Sequence, residues 1–332
     1  ANSYGVAVGT QDGAAAIFRD GRNSVRLADT VRIYNQNGAP ITLNFFAALA
    51  VNRGGTMIVR GLQVTGQGTY TVNFLMKPTF YNVTELPSTT EEGIAKAMDY
   101  YGDTIVGRSR LSAVNAGGAP KRRTVANPAA VQPTATETAL NFISRNGEIS
   151  EASAIQTSGG MSVGYGWTNL EAPLLSRSVK TQALAWDSSG NRRHIWDSTQ
   201  ARYLRAATGI SSSNVGVGNG YRTSGTISKS LSTGTQYAFG FYLNPGLSGC
   251  TFSVTDGTCV TLSELGAGTV NGINDSLFAA GQNNSGRAVI WSVNGDGSRA
   301  STTTLPLDGT YSTNSGAQAV NIPLDSNPMA AI

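Results

Sequence analysis

The chain holds one histidine, His194, and two cysteines, Cys250 and Cys259, in 332 residues. One imidazole and two thiols cannot complete a four-ligand zinc site. A hydrolytic triad needs a nucleophile, a base and an orienting acid. His194 sits in "GNRRHIW" beside two arginines and reads as a surface residue. No serine is read as the nucleophile of a strand–turn–helix elbow. Charge is also scarce. Asp, Glu, Lys and Arg make up 13% of the chain, about half the usual share. The net charge of +4 is too mild for the one-sided basic face of a nucleic-acid binder. The densest basic groups, Lys121-Arg122-Arg123 and Arg192-Arg193-His194, read as solvated loop charges. No apolar run reaches the roughly 18 residues of a membrane-spanning helix.

What is abundant is glycine, at 40 residues, together with Ser, Thr and Asn. This is the composition of many short strands joined by turns, since helices draw on Glu, Lys and Leu. Hydrophobic residues make up 40%, enough for a packed core. Low-charge chains of this kind are common outside the cytoplasm, and the start at Ala1 fits a mature protein after signal cleavage. The two cysteines flank an Asp256-Gly257 turn in "GCTFSVTDGTC" and are expected to form a disulfide across a β-hairpin. Such a bond belongs to an oxidising compartment. Closing this short loop is worth roughly 2–3 kcal/mol in the chain-entropy model.

One pattern returns along the chain: an apolar pulse, a polar turn, an apolar strand ending in Gly, then Ala-x-x-aromatic. Its clearest copy is "VNGINDSLFAAGQN" followed by "AVIW". The anchor glycines are Gly9, Gly61, Gly107, Gly164, Gly218 and Gly281, about 54 residues apart on average. The aromatic anchors are Phe18, Phe74, Phe142, Trp186, Phe241 and Trp291, expected as core wedges between sheets. A fourth, weaker strand often follows, as in "CVTLSEL" and "STTTLPL". Four antiparallel strands per unit is the content of a propeller blade. The fold predicted is all-β: a six-bladed β-propeller of four-stranded blades forming a single domain over residues 1–332. The first copy lacks an opening strand and the chain ends in "NPMAAI". Met329–Ile332 is therefore expected to close the ring as the innermost strand of the first blade.

The segments "VNGINDSLFAAGQ" with "RAVIW", "ASAIQTSGGMSVGYG" with "QALAW", and "YAFGF" resemble the bacterial extracellular repeats of the HAF type. The histidine of that pattern is absent from every copy. The resemblance implies an exported β-propeller-like protein and lends no catalytic residues.

No catalytic, cofactor-binding or metal-ligating residue is assigned. Asn294–Ser298 and Ser188–Asn191 have a faint calcium-loop look, without the carboxylate ladder such a site needs. They read as turns, and Val215–Gly220 as a repeat strand. The stretch 112–137 is polar, holds three prolines and reads as a long loop, the best candidate for a contact region. The function expected is a non-enzymatic exported or cell-surface module, in a bacterial extracellular or periplasmic setting, acting on a protein or glycan. A secreted hydrolase with a metal in its central channel and a structural subunit of a larger surface assembly are the alternatives.

Overall fold

The computed structural model describes residues 6–19, 24–27, 33–34, 40–41, 44–52, 55–65, 68–76, 83–85, 94–99, 104–110, 118–126, 134–142, 149–167, 181–195, 197, 202–222, 235–244, 260–306, 319–320 and 330–331. The described chain is all-β, and its strand pairings are antiparallel apart from one isolated parallel bridge, Gly118 to Ile149. Five sheets have three strands or more, and each is a meander in sequence order. The first takes Val6–Gln11, Ala14–Arg19 and Val25–Arg26. The second takes Asn44–Val51, Met57–Thr65, Gly68–Met76 and Val83–Glu85. The third takes Ile94–Met98, Thr104–Arg110, Gly118–Ala126 and Thr134–Ala139. The fourth takes Glu151–Ile155, Ser162–Trp167, Thr181–Trp186 and Arg192–His194. The last has seven strands, from Arg202–Ile210 to Arg299–Thr304.

In that last sheet one long strand, Ser263–Ile273, does two jobs. Its first part pairs with Gln236–Tyr242 and its second with Phe278–Asn283. The change falls between Ala267 and Gly268, where φ reaches 136°. A side chain would be strained there, and glycine is not.

The anchor glycines have a physical cause. Gly61, Gly107, Gly164 and Gly218 each face a β-bulge in the first strand of their meander, at Phe45/Ala47, Ala95/Ala97, Ala152/Ala154 and Ala207/Gly209, and Gly281 faces one in the shared strand Ser263–Ile273, at Val270/Gly272. The bulge pushes a backbone carbonyl toward the partner strand. A Cβ on Gly164, Gly218 or Gly281 would lie 1.9, 2.3 or 2.0 Å from the carbonyl oxygen of Glu151, Ala206 or Thr269. The periodic glycine is thus the counterpart of a periodic bulge.

The sheets stack face to face. The first strands of four successive meanders lie beside one another, from Asn44–Val51 through Ile94–Met98 and Glu151–Ile155 to Arg202–Ile210, and the shared strand Ser263–Ile273 lies beside Arg202–Ile210 in turn. Val6–Gln11 lies beside Asn44–Val51. Each gap is filled by its own apolar cluster. Ile17, Leu27, Met57 and Met76 fill the first gap, and Ile58, Ile105 and Val125 the second. Val106, Leu140, Leu184 and Trp186 fill the third. Val163, Leu204, Phe239 and Phe241 lie in the fourth, and Val217, Leu265, Val289 and Trp291 in the fifth. A twisted sheet buries neither face alone, so this stacking is what removes the apolar strands from water.

The polar turns hold themselves by one recurring device. The first turn residue uses its backbone to bond the residues three and four later, and its side chain accepts the latter's N–H. Asn274 Oδ1 accepts from Phe278 N (2.9 Å), Asn283 Oδ1 from Arg287 N (3.0 Å), Asn52 Oδ1 from Thr56 N (2.8 Å) and Asp187 Oδ1 from Asn191 N (2.9 Å). Asn274→Ala is expected to cost about 1–2 kcal/mol, because a part-buried N–H, that of Phe278, loses its acceptor. Urea unfolding measures it, and a loss below about 0.5 kcal/mol would show the turn to be held by its backbone alone.

Several expectations are corrected. The stretch 112–137 contains two strands, Gly118–Ala126 and most of Thr134–Ala139. Their cations are taken into the sheet by partners, so neither composition nor period betrayed a strand. Arg122 and Arg123 are buried rather than solvated. Phe142 lies past the fourth strand of its sheet, not in the third. His194 is buried at 7% exposure, not on the surface. Ala330–Ala331 pairs with Ala319–Val320, ten residues upstream, and not with Val6–Gln11, whose sheet has three strands. A near partner closes a far shorter loop than one at the other end of the chain. Cys250, Cys259 and the Asp256-Gly257 turn lie outside the described residues.

Candidate functional site

The register assigns one position to the aromatic of each unit. Phe18, Phe74, Trp186, Phe241 and Trp291 lie opposite the residue two before the anchor glycine, namely Ala7, Val59, Ser162, Gly216 and Ala279. Trp186, Phe241 and Trp291 are fully or almost fully buried. Trp186 Nε1 donates to Asn141 O at 2.7 Å, tying the fourth sheet to the end of the third. In the third sheet the equivalent residue, opposite Ile105, is Arg123.

This substitution changes the chemistry of the gap. Arg123 is 4% exposed, and its Nε donates to Glu137 Oε1 at 2.8 Å. Lys121 Nζ lies 3.5 Å from Glu137 Oε2. One carboxylate therefore serves two cations. Arg123 Nη2 is buried with no hydrogen-bond partner among the described residues. A few residues away, Glu151 takes Arg108 Nε at 3.0 Å and Lys96 Nζ at 3.4 Å. Arg60 enters the same field: burial first, then the Arg108 charge, lowers its pKa, while Glu151 opposes. Tyr165, directly across from Glu151, has its pKa raised by burial first and then by that carboxylate. Cations thus outnumber carboxylates five to two over the group Arg60, Lys96, Arg108, Lys121, Arg123, Glu137 and Glu151. A small pocket lies among them, lined by Ile105, Gly107, Arg108, Lys121 and Arg123.

The remaining cation of the basic triplet is structural. Arg122 donates to the carbonyls of Gly159 and Gly160 in the fourth sheet's turn. Burial lowers its pKa, against the raising effect of Asp99 and then Asp187. Neighbouring turns are latched similarly. Gln156 Nε2 donates to Ser211 O at 2.9 Å and Asn214 Oδ1 at 2.8 Å. Asp275 accepts from Thr157 Oγ1 and Ser212 N, both at 2.6 Å.

The other motifs carry no site. Asp187 and Asp296 spend their carboxylates on local turn donors, Ser189, Asn191 and Ser298. Val215–Arg222 is a strand. Among the described residues no three of His, Cys, Asp and Glu gather as a metal set. The spacing G-x-S-x-G does occur once, at Gly160–Gly164, and escaped the sequence reading. Ser162 nevertheless opens a strand, is 0% exposed and faces Ile155 and Trp186 across the sheet, without the strand-to-helix turn of a nucleophile elbow. No helix among the described residues is long and apolar enough to cross a membrane.

No family model and no curated protein sequence matches the chain. Among solved structures it is similar to the crystal structure of TolB from Acinetobacter baumannii, at 9% identity and a TM-score of 0.46, over 88% of this chain. The chain spans 61% of the length of that structure.

Proposed function

We propose that the chain forms one six-bladed β-propeller and works as a non-enzymatic exported or cell-surface binding module. The observation that supports this best is the ordering of first strands side by side, meander after meander, with an apolar cluster in every gap. Counting the seven-stranded sheet as two four-stranded units that share Ser263–Ile273 gives six units. Stacked sheets of this kind bury their outer faces only by curving round on themselves. Low charge and abundant Gly, Ser, Thr and Asn favour an extracellular or periplasmic setting. Binding is assigned to the third sheet, where the repeat departs from its own rule at Arg123. A unit that breaks a local pattern kept by its siblings marks function more often than packing.

Negative-stain class averages of the purified chain are expected to show a compact ring with a central depression. Open, crescent-shaped particles would sink the propeller. A glycan and protein array, probed with the wild-type chain and with Arg123→Phe, is expected to yield ligands that only the wild type captures.

A further inference from the structure

We infer that Asn294-Gly295 is a site of spontaneous covalent modification, where the asparagine deamidates through a cyclic imide to isoaspartate and aspartate. Three Asn-Gly pairs lie among the described residues: Asn219-Gly220, Asn271-Gly272 and Asn294-Gly295. In each, the glycine lets its own nitrogen swing toward the asparagine side chain, because no Cβ obstructs the movement. At Asn294 the Gly295 nitrogen attacks Cγ and closes the imide. The Cγ–Nδ2 bond breaks, and Nδ2 leaves as ammonia, carrying the proton given up by Gly295. Water then opens the ring at either of its two C–N bonds. Breaking the new bond leaves aspartate. Breaking the original peptide bond leaves isoaspartate, with the main chain rerouted through the side-chain carbons.

The sequence does not rank the three pairs, and the structure does. Attack requires the asparagine backbone to rotate, so its cost is whatever holds that backbone in place. Asn219 lies mid-strand, paired with Ala206 on one side and Ala238 on the other, and Gly220 is paired with Leu204 and Tyr237. Its side chain is committed too: Oδ1 accepts from Val270 N at 2.7 Å and Nδ2 donates to Val270 O at 2.9 Å. Asn271 sits in the bulge of the shared strand, and Gly272 pairs with Ala280. Neither pair can rotate without opening a sheet. Asn294, Gly295 and Asp296 are all exposed. The turn's backbone bonds run from Asn294 N to Ser298 O and from Gly297 N to Asn294 O, leaving Gly295 N outside them. The Asn294 amide is held by an exposed bond from Nδ2 to Ser298 Oγ at 2.9 Å, and a Cβ on Gly295 would meet nothing within 4 Å. Opening an exposed turn costs far less than opening a central strand. The product has a structural consequence. Gly297, at φ 86°, packs backbone to backbone on the preceding unit: a Cβ there would lie 2.6 Å from Phe241 Cα, and one on Gly240 2.1 Å from Gly297 O. Isoaspartate lengthens this turn by a methylene and removes the amide donor to Ser298, which loosens that seat.

The test incubates the whole folded chain for weeks in mildly alkaline buffer and maps each Asn-Gly peptide by mass spectrometry, with a urea-unfolded sample alongside. In the folded chain Asn294 is expected to convert from amide to acid, mostly as isoaspartate, while Asn219 and Asn271 stay intact. In urea all three are expected to convert at similar rates, since only the fold distinguishes them. Gly295→Ala puts a methyl into open space, so the chain still folds, and is expected to suppress conversion at Asn294. Aged wild type is expected to melt below fresh wild type, and aged Gly295→Ala to melt with its own fresh sample. An intact Asn294 in folded chain, folded-state conversion equal at all three pairs, or conversion undiminished by Gly295→Ala would overturn the site. Equal melting of fresh and fully converted wild type would overturn the loosening of the turn.

Discussion

Gly281→Ala is expected to cost at least about 3 kcal/mol of stability, at the upper end of what overpacking does in a well-packed core. The added methyl would lie 2.0 Å from Thr269 O, 2.9 Å from Val270 Cα and 2.8 Å from Trp291 Cζ3. The ring can rotate away. The carbonyl belongs to the bulged strand, and moving it breaks the pairing of Thr269 with Gln282 and of Val270 with Gly281. No rotamer relieves a clash with backbone, so strand separation is the remaining route. Gly272→Ala is the control. It lies in the same bulge, a Cβ there meets nothing within 4 Å, and its cost is expected to stay within about 1 kcal/mol. Paired urea titrations of the two variants measure the difference. Equal losses would show that the periodic glycines serve the unfolded chain or general strand weakness, and not the bulge.

How much of this was legible follows from where the information sits. The glycine spacing was readable because each bulge imposes a steric rule on a single residue. The polar turns were readable for a similar local reason: Asn274, Asn283 and Asp187 each cap their own turn. The third sheet was not readable. Its strand Gly118–Ala126 holds Pro120 and three adjacent cations, which on composition argue for a loop. Its burial depends on Glu137, fourteen residues beyond Arg123, and on carbonyls of another sheet. Such partners have no periodicity. Anchoring the unit on Phe142 was the consequence: an aromatic was sought, and the register puts Arg123 in its place. The shared strand was hidden in the same way, since Ser263–Ile273 reads as one apolar-polar run until its two partners are known.

That one unit trades its aromatic for an ion cluster also explains the uneven stiffness expected of the stack. An aromatic in a gap contributes through area and tolerates a shift of the neighbouring sheet. An ion pair that is nearly dry does not, because losing either partner strands the other in a medium that solvates it poorly. The gap between the second and third sheets is therefore expected to hold its geometry more tightly than its small apolar cluster of Ile58, Ala95, Ile105 and Val125 would suggest.

His194 makes the fold sensitive to mild acid. Burial first, and the Arg192 charge second, push its pKa from 6.5 down to about 4. Its Nδ1 lies 3.1 Å from Gln182 Oε1, an acceptor that suits the neutral ring with its proton on Nδ1. Between about 4 and 6.5 the unfolded chain binds a proton on this residue and the folded chain does not, so stability rises with pH through that window. The contribution is whole above about 6.5 and is lost progressively as pH falls to about 4, reaching about 3 kcal/mol at about 1.4 kcal/mol per pH unit. His194→Gln keeps a polar partner for Gln182 and cannot titrate. Its stability is expected to change by about 3 kcal/mol less than that of the wild type between pH 7 and pH 4, measured as urea midpoints across the range. Carboxylates common to both chains, Asp187 among them, cancel in the difference. Parallel curves for the two proteins would mean that His194 reaches water in the folded state, and the fourth sheet would then have to open between Arg192 and His194 at its outer edge.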